Sequence, residues 1–174
     1  IITEIKKDVS RLNIIAERFS KIGSVSKNQE ENIVEVVEEI VEYVRARTSS
    51  KIKITINYEQ SIAIVPLNKP LFEWVIENLC KNSIDSIGGQ GSVDITIVVK
   101  PKTVIVDVSD TGKGIPRSKF KTVFMPGYTT KRRGWGLGLT LTKRIIEEYH
   151  DGKIFVKSSE IDKGTTFRIM LNKK

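Results

Sequence analysis

One stretch limits the folds open to this 174-residue chain more than any other. It is NKPLFEWVIENLCKNSIDSIGGQGSVDITIVVKPKTVIVDVSD, residues 68–110. Asn68 is a good helix N-cap, its side chain able to accept from the first free N–H groups, and the GGQG run supplies a stop. The spacing therefore predicts a long helix from Asn68 to Ile87, with Leu71, Val75, Leu79 and Ile87 available to face a core. VDITIVVK and KTVIVDVS, joined by a turn at Pro101, predict two strands directly after it. A helix tethered this closely to a strand pair buries its apolar side on the sheet.

The flanking segments extend the same plan. A helical run from Glu30 to about Arg47 places Ile33, Val36, Val37, Ile40, Val41 and Val44 on one face. KIKITINY and SIAIV read as strands, the second closed by Pro66. Asp110 to Arg133 reads as a long loop with one short helix at Arg117 to Thr122. A helix from Leu137 to Tyr149 ends at Asp151–Gly152, and KIFVKSS and TTFRIML form a closing hairpin. Strands paired as hairpins with helices between them predict an α+β fold, a two-layer α/β sandwich whose mixed, mostly antiparallel sheet is covered on one face by helices. Before all this, Ile2, Ile5, Val9, Leu12, Ala16 and Phe19 step by threes and fours, a heptad seam that wants a partner helix. The expected division is a helix over 1–22, a linker over 23–29 and the main domain over 30–174. The chain opens on Ile1 already inside the heptad pattern, so a longer parent is expected.

Composition narrows the function classes. No apolar run approaches the ~18 residues of a membrane span, and no signal-peptide pattern opens the chain, so no membrane contact is expected. The single cysteine, Cys80, rules out an internal disulfide and any cysteine-built metal cluster, which fits a reducing, cytoplasmic setting. The formal net charge of +8 suits either a solvated basic surface or a polyphosphate ligand. Basic residues are not interleaved with aromatics as in single-strand binders, so nucleic acid is not the expected partner.

Three motifs carry chemistry. GWGLGL, residues 134–139, precedes a helix, as phosphate loops do, yet it is neither a GxGxxG after a strand nor a loop ending in Gly-Lys-Ser/Thr. ENLCKNSID, residues 77–85, sets Asn78, Asn82 and Asp85 along one helical stripe. Two carboxamides there are unfavourable by propensity, but their oxygens are hard ligands suited to Mg2+ that shares its shell with substrate phosphates. SDTGKGIP, residues 109–116, puts Asp110 at a strand end, where a carboxylate can accept from an exocyclic amine. Gly112 and Gly114 beside it would allow backbone to approach a flat ring.

This ordered set, completed by the Phe-containing VFMPGYTTK and a late GTTF, resembles the N, G1, F, G2 and G3 boxes of sensor histidine kinases. These belong to the gyrase, Hsp90, histidine kinase and MutL superfamily, and the resemblance covers about residues 30 to 174. It implies a Bergerat-type ATP-binding fold with ATP and Mg2+ as ligands. Asn82 becomes the principal metal ligand with Asn78 beside it, and Asp110 reads the adenine amine. Gly112, Gly114, Ile115 and Thr165 shape the base pocket, and Phe124 anchors an ATP lid. Gly134, Gly136 and Gly138 hinge that lid, while Leu137, Leu139, Thr130 and Asp85 complete the nucleotide contacts. Lys131 meets phosphate charge and joins Asn78 and Asn82 in the catalytic group, with Arg132 and Arg133 able either to help or simply to be solvated. The resemblance further implies a phosphoacceptor histidine upstream, a homodimer through the N-terminal helix and a response-regulator receiver domain as partner.

Departures are visible too. Trp135 stands where a small residue or Met is usual, Gly127 where an aromatic is common, and Asp85 where some members carry a phosphate-reaching Lys. ATP-hydrolysing relatives carry their catalytic Glu at the place of Asn78, and Glu77 is offset by one residue, about 100° around the helix. His150, the only histidine, sits at a helix end, where it reads as structural and not as an acceptor. A serine kinase of the anti-sigma type, a gyrase-like ATPase and an inactive nucleotide-binding module remain the alternatives.

Overall fold

The computed structural model describes residues 27–131 and 136–173. The heptad segment and Arg132, Arg133, Gly134 and Trp135 lie outside the described residues. Among the described residues the first element is strand β1 (Gln29–Asn32), followed by helix α1 (Ile33–Arg45). The helix was expected to start at Glu30, but Glu30 to Asn32 are taken by antiparallel pairing with β3 (Ile64–Leu67). Asn32 marks the switch. Its Oδ1 accepts from Val34 N at 3.3 Å, capping α1, and from Ala63 N at 3.0 Å, tying the cap to β3. From there α1 buries Ile33, Val34, Val36, Val37, Val41 and Val44.

Strands β2 (Ile52–Tyr58), β4 (Gly91–Val99), β5 (Thr103–Asp110), β6 (Lys153–Glu160) and β7 (Gly164–Asn172) form one sheet in the order β2-β4-β5-β7-β6. β4/β5, β5/β7 and β6/β7 are antiparallel, and β2 lies parallel to β4. The expected pairing of KIKITINY with SIAIV does not occur. A parallel pair needs a long crossover, and β3 plus helix α2 (Lys69–Ile87) supply it. Helix α2 follows its sequence signals: Asn68 Oδ1 accepts from Leu71 N at 3.2 Å, and Gly88 closes the helix at φ +66°. Two 3-10 turns, Arg117–Lys119 and Thr122–Phe124, replace the single short helix expected there. Helix α3 (Gly138–Arg144) runs on into a π-helical turn, Ile145–Tyr149.

Alternation along the strands decides the layering. Val93, Ile95 and Ile97 of β4, Val104, Val106 and Val108 of β5, and Phe167, Ile169 and Leu171 of β7 are buried against Phe72, Val75, Ile76, Leu79, Ile145 and Ile146. On the other face, Asp107 of β5 takes two hydrogen bonds from Arg168 (2.7 and 2.8 Å) and one from Lys157 (2.8 Å). Burial works against its charge, but the two cations outweigh it and hold the carboxyl below its ordinary pKa. The result is the expected two-layer α+β fold, with helices on one side of the sheet.

Candidate functional site

Helix α2 from Trp74 to Ser86, the loop after β5, the Tyr128–Lys131 stretch and the start of α3 enclose a cavity of about 490 Å3, lined also by Thr165 and Phe167 of β7. Asp110 lines it, 8% exposed at the end of β5 and paired in register with Thr165. Asp110 Oδ1 accepts from Gly112 N at 2.8 Å and from Ser86 Oγ at 3.0 Å. The loop beyond is pinned to the final hairpin, since Ile115 N donates to Ser159 Oγ at 2.7 Å. Ser159 in turn donates to Gly164 O at 2.8 Å and stands 2.9 Å from Thr165 Oγ1.

The asparagine stripe lines the cavity wall. Asn78 Nδ2 donates to Thr142 Oγ1 at 2.9 Å. A Cβ at Gly138 would lie 2.6 Å from Asn78 Oδ1, so the third glycine of GWGLGL lets α3 abut α2. Asn82 Oδ1 accepts from Lys131 Nζ at 3.1 Å, and the same ammonium pairs with Asp85 Oδ2 at 2.5 Å. Asp85 thus captures a lysine from the opposite loop.

That loop leaves the body through a neck of glycines. Gly127 N donates to Gly136 O at 3.1 Å, both glycines have positive φ (+79° and +64°), and a Cβ on Gly136 would meet Gly127 C at 2.4 Å. Gly136 of GWGLGL is thus tied to Gly127, whose glycine identity looked like a departure. At the opening, Lys113 Nζ donates to Thr130 Oγ1 at 3.0 Å.

The structure gathers Asn78, Asn82, Asp85, Asp110, Gly114, Ile115, Thr130, Lys131, Gly136, Leu137, Gly138, Leu139 and Thr165 around this one cavity. Two expected residues stand behind the wall. Phe124 is buried edge-on against Phe167, with ring centroids 6.0 Å apart. Gly112 faces α2: a Cβ there would meet Ser86 Oγ at 1.9 Å. Gly114 has φ +73°, and its Cβ would meet Glu160 O at 2.2 Å. In this structure the close approach these two glycines permit is to the protein itself. Sequence reading missed Ser86, Lys113, Tyr128 and Trp74 as wall residues. Ser86 had a signal, standing one turn beyond Asn82 on the same stripe.

His150 lies elsewhere, 6% exposed. Its Nε2 accepts from Asn68 N at 3.1 Å and its Nδ1–H donates to Ile145 O at 2.9 Å. Burial lowers its pKa, so the ring is a neutral brace between α2 and the π-helical turn and not a charge at a helix end.

Residues 68–174 match the model of the histidine kinase-, DNA gyrase B- and HSP90-like ATPases, and all five sequence boxes fall inside that span. The chain belongs to this family. Sporulation kinase A of Bacillus subtilis (strain 168) is 32% identical over 171 residues, 96% of this chain and 28% of the relative. Sensor histidine kinase ZraS of Salmonella typhi is 32% identical over 171 residues, 95% of this chain and 36% of the relative. The chain therefore spans about a third of these relatives' length. The nucleotide-free catalytic domain of histidine kinase ThkA superposes with a TM-score of 0.74 at 28% identity, over 86% of this chain and 97% of that one. ThkA in complex with response regulator protein TrrA gives a TM-score of 0.80 at 24% identity, a likeness of fold, over 98% of this chain and 49% of that chain.

Proposed function

We propose that this chain is the ATP-binding catalytic part of a sensor histidine kinase, which transfers the ATP γ-phosphate to a histidine in another segment of its parent. The observation that carries the reading is a single cavity holding a base-reading carboxylate, Asp110, and an oxygen-and-ammonium cluster, Asn82, Asp85 and Lys131. From Ser86 beside Asp110 to Asn78, α2 advances about 12 Å, a length that suits a nucleotide lying along it.

The donor set fits Mg2+. Asn82 and Asn78 supply neutral hard oxygens, and Asn82 Oδ1 already accepts from a cation, the Lys131 ammonium. Among the described residues no group of three or more His, Cys, Asp or Glu could hold a metal ion, which suits an ion completed by substrate phosphates and water. When bound, Mg2+ would neutralise phosphate charge. The chain's own part is to seat the base on Asp110, direct Lys131 at the triphosphate and keep the γ-phosphate in line with an incoming imidazole. Glu77 pairs with Lys81 and contributes nothing to the cavity wall, which favours phosphotransfer over gyrase-like hydrolysis.

In the same reading, residues 1–22 form the second helix of a dimerisation hairpin, 23–29 form a linker, and the parent homodimerises through that helix. The phosphate then passes to a response-regulator receiver, a partner class supported by the ThkA–TrrA complex. No helix among the described residues is long and apolar enough to cross a membrane, which agrees with a cytoplasmic placement of this part.

The test is calorimetric binding of a non-hydrolysable ATP analogue to the chain and to Asn82→Ala, each with and without Mg2+. Wild type should gain at least about tenfold in affinity from the metal, and the variant should lose that gain, the scale of one charge-assisted contact. Equal affinities in all four arms would refute the metal assignment.

A further inference from the structure

Asp110 is held asymmetrically. Both of its hydrogen-bond donors among the described residues, Gly112 N–H at 2.8 Å and Ser86 O–H at 3.0 Å, converge on Oδ1. Oδ2 receives no donor, yet it is not a sealed orphan: the single buried side-chain polar atom left without a partner among the described residues is Ser83 Oγ. Asp110 lines the cavity, so Oδ2 is the oxygen free to face a ligand. A carboxylate with one donor can swing about its Cβ–Cγ bond, whereas two donors on one oxygen fix which oxygen looks outward.

Ser86 is itself built in. Its carbonyl accepts from Lys113 N at 3.1 Å, and the missing Cβ of Gly112 makes room for its hydroxyl. The hydroxyl has one proton and two acceptors, Ser83 O at 2.9 Å and Asp110 Oδ1 at 3.0 Å. An ionised acceptor forms the stronger hydrogen bond, so the proton goes to Asp110. If it turned to Ser83 O, lone pairs of Ser86 and Asp110 would oppose each other at that distance.

We propose that Ser86 is a positioning residue for base recognition: it locks Asp110 Oδ1 so that Oδ2 presents an acceptor to the 6-amino group of a purine and repels a 6-oxo group. The inference rests on the nucleotide reading above and deepens it. A carboxylate is an acceptor only, so a 6-oxo purine sets oxygen against oxygen, while a purine bare at position 6 neither gains nor clashes. Discrimination among the three bases depends on how firmly Oδ2 is aimed, and Ser86 supplies that aim.

The experiment compares affinities of the chain and of Ser86→Ala for ATP, inosine triphosphate and purine riboside triphosphate, the last without any 6-substituent. Ala keeps the Cβ that packs against Gly112 and removes the hydroxyl alone. The expected result is an ATP affinity about five- to tenfold weaker, an unchanged affinity for purine riboside triphosphate, and a smaller preference for ATP over the inosine nucleotide. Ser86→Cys, with a weak donor of similar size, should fall between the two and covers the case in which Ala fails to fold. Equal losses for ATP and purine riboside triphosphate would mark Ser86 as merely structural and overturn the proposal, as would no loss for either. Wild-type chain that binds none of the three would overturn the nucleotide reading itself, an outcome distinguishable from either variant result.

Discussion

A Cβ placed on Gly112 would sit 1.9 Å from Ser86 Oγ and 2.7 Å from the Ser86 carbonyl carbon. The hydroxyl could rotate away, but the carbonyl carbon belongs to the helix, so α2 and the loop after β5 would have to part. Gly112→Ala is therefore expected to cost about 1–3 kcal/mol, the usual scale of overpacking, and to weaken ATP binding by displacing the Gly112 N–H from Asp110. Urea unfolding and a binding titration on the same variant check both halves, and a midpoint equal to wild type would contradict the clash. At this scale the Asn, Asp and Gly residues that line the candidate cavity were legible in the sequence, because such residues at such spacings have few other uses together. Their reasons were less so. Gly112 and Gly114 looked like platforms for a ring, and only the three-dimensional path shows that Ser86 and Glu160 claim the space. Ser86 was passed over because its place on the Asn82 stripe does not show what it does until its acceptor, 24 residues away, is brought beside it.

Between elements, His150 is the clearest joint. It accepts from the N–H of Asn68, the residue that caps α2, and donates to Ile145 O at the start of the π-helical turn, while its ring meets Phe72 edge-on at 6.1 Å. Its pKa in the folded chain lies below the ordinary 6.5 because burial disfavours the imidazolium. The unfolded chain therefore takes up a proton at higher pH than the folded one does. The brace contributes in full above about pH 6.5, and its contribution declines as pH falls from there through the lowered folded value. Urea midpoints at pH 7.5 and 5.5 should show wild type losing stability on acidification by more than His150→Gln does, and parallel losses in the two proteins would remove His150 from the account. The elements it joins were mostly readable, since caps, Gly stops and period-two runs act locally. The early strand β1 was not: Glu30 to Asn32 run into a strongly periodic helix, and only pairing with β3 makes them strand. The parallel β2–β4 pair was hidden for the same reason, a partner 39 residues distant in register.

At the scale of the molecule, the same placement of His150 decides what this chain can do unaided. It carries one histidine, and that imidazole is 6% exposed with both ring nitrogens engaged, one accepting from Asn68 and one donating to Ile145. In-line attack on a γ-phosphate needs a ring nitrogen with a free lone pair at the cavity, and the cavity wall does not include His150. In the proposed reading the cavity nevertheless assembles the parts that position a nucleotide: Asp110 and Ser86 at the base end, Asn82, Asp85 and Lys131 along the helix. The chain should therefore bind nucleotide without accepting phosphate. Incubated with γ-labelled ATP and Mg2+, it should carry no acid-labile label above that of an Asn82→Ala control. A second polypeptide bearing the parent's histidine-containing helix paired with residues 1–22 should become labelled in its presence and not in that of the control. Acid-labile phosphate mapped to His150 would overturn this division of labour, because the α2 joint would have to open for the ring to reach the nucleotide.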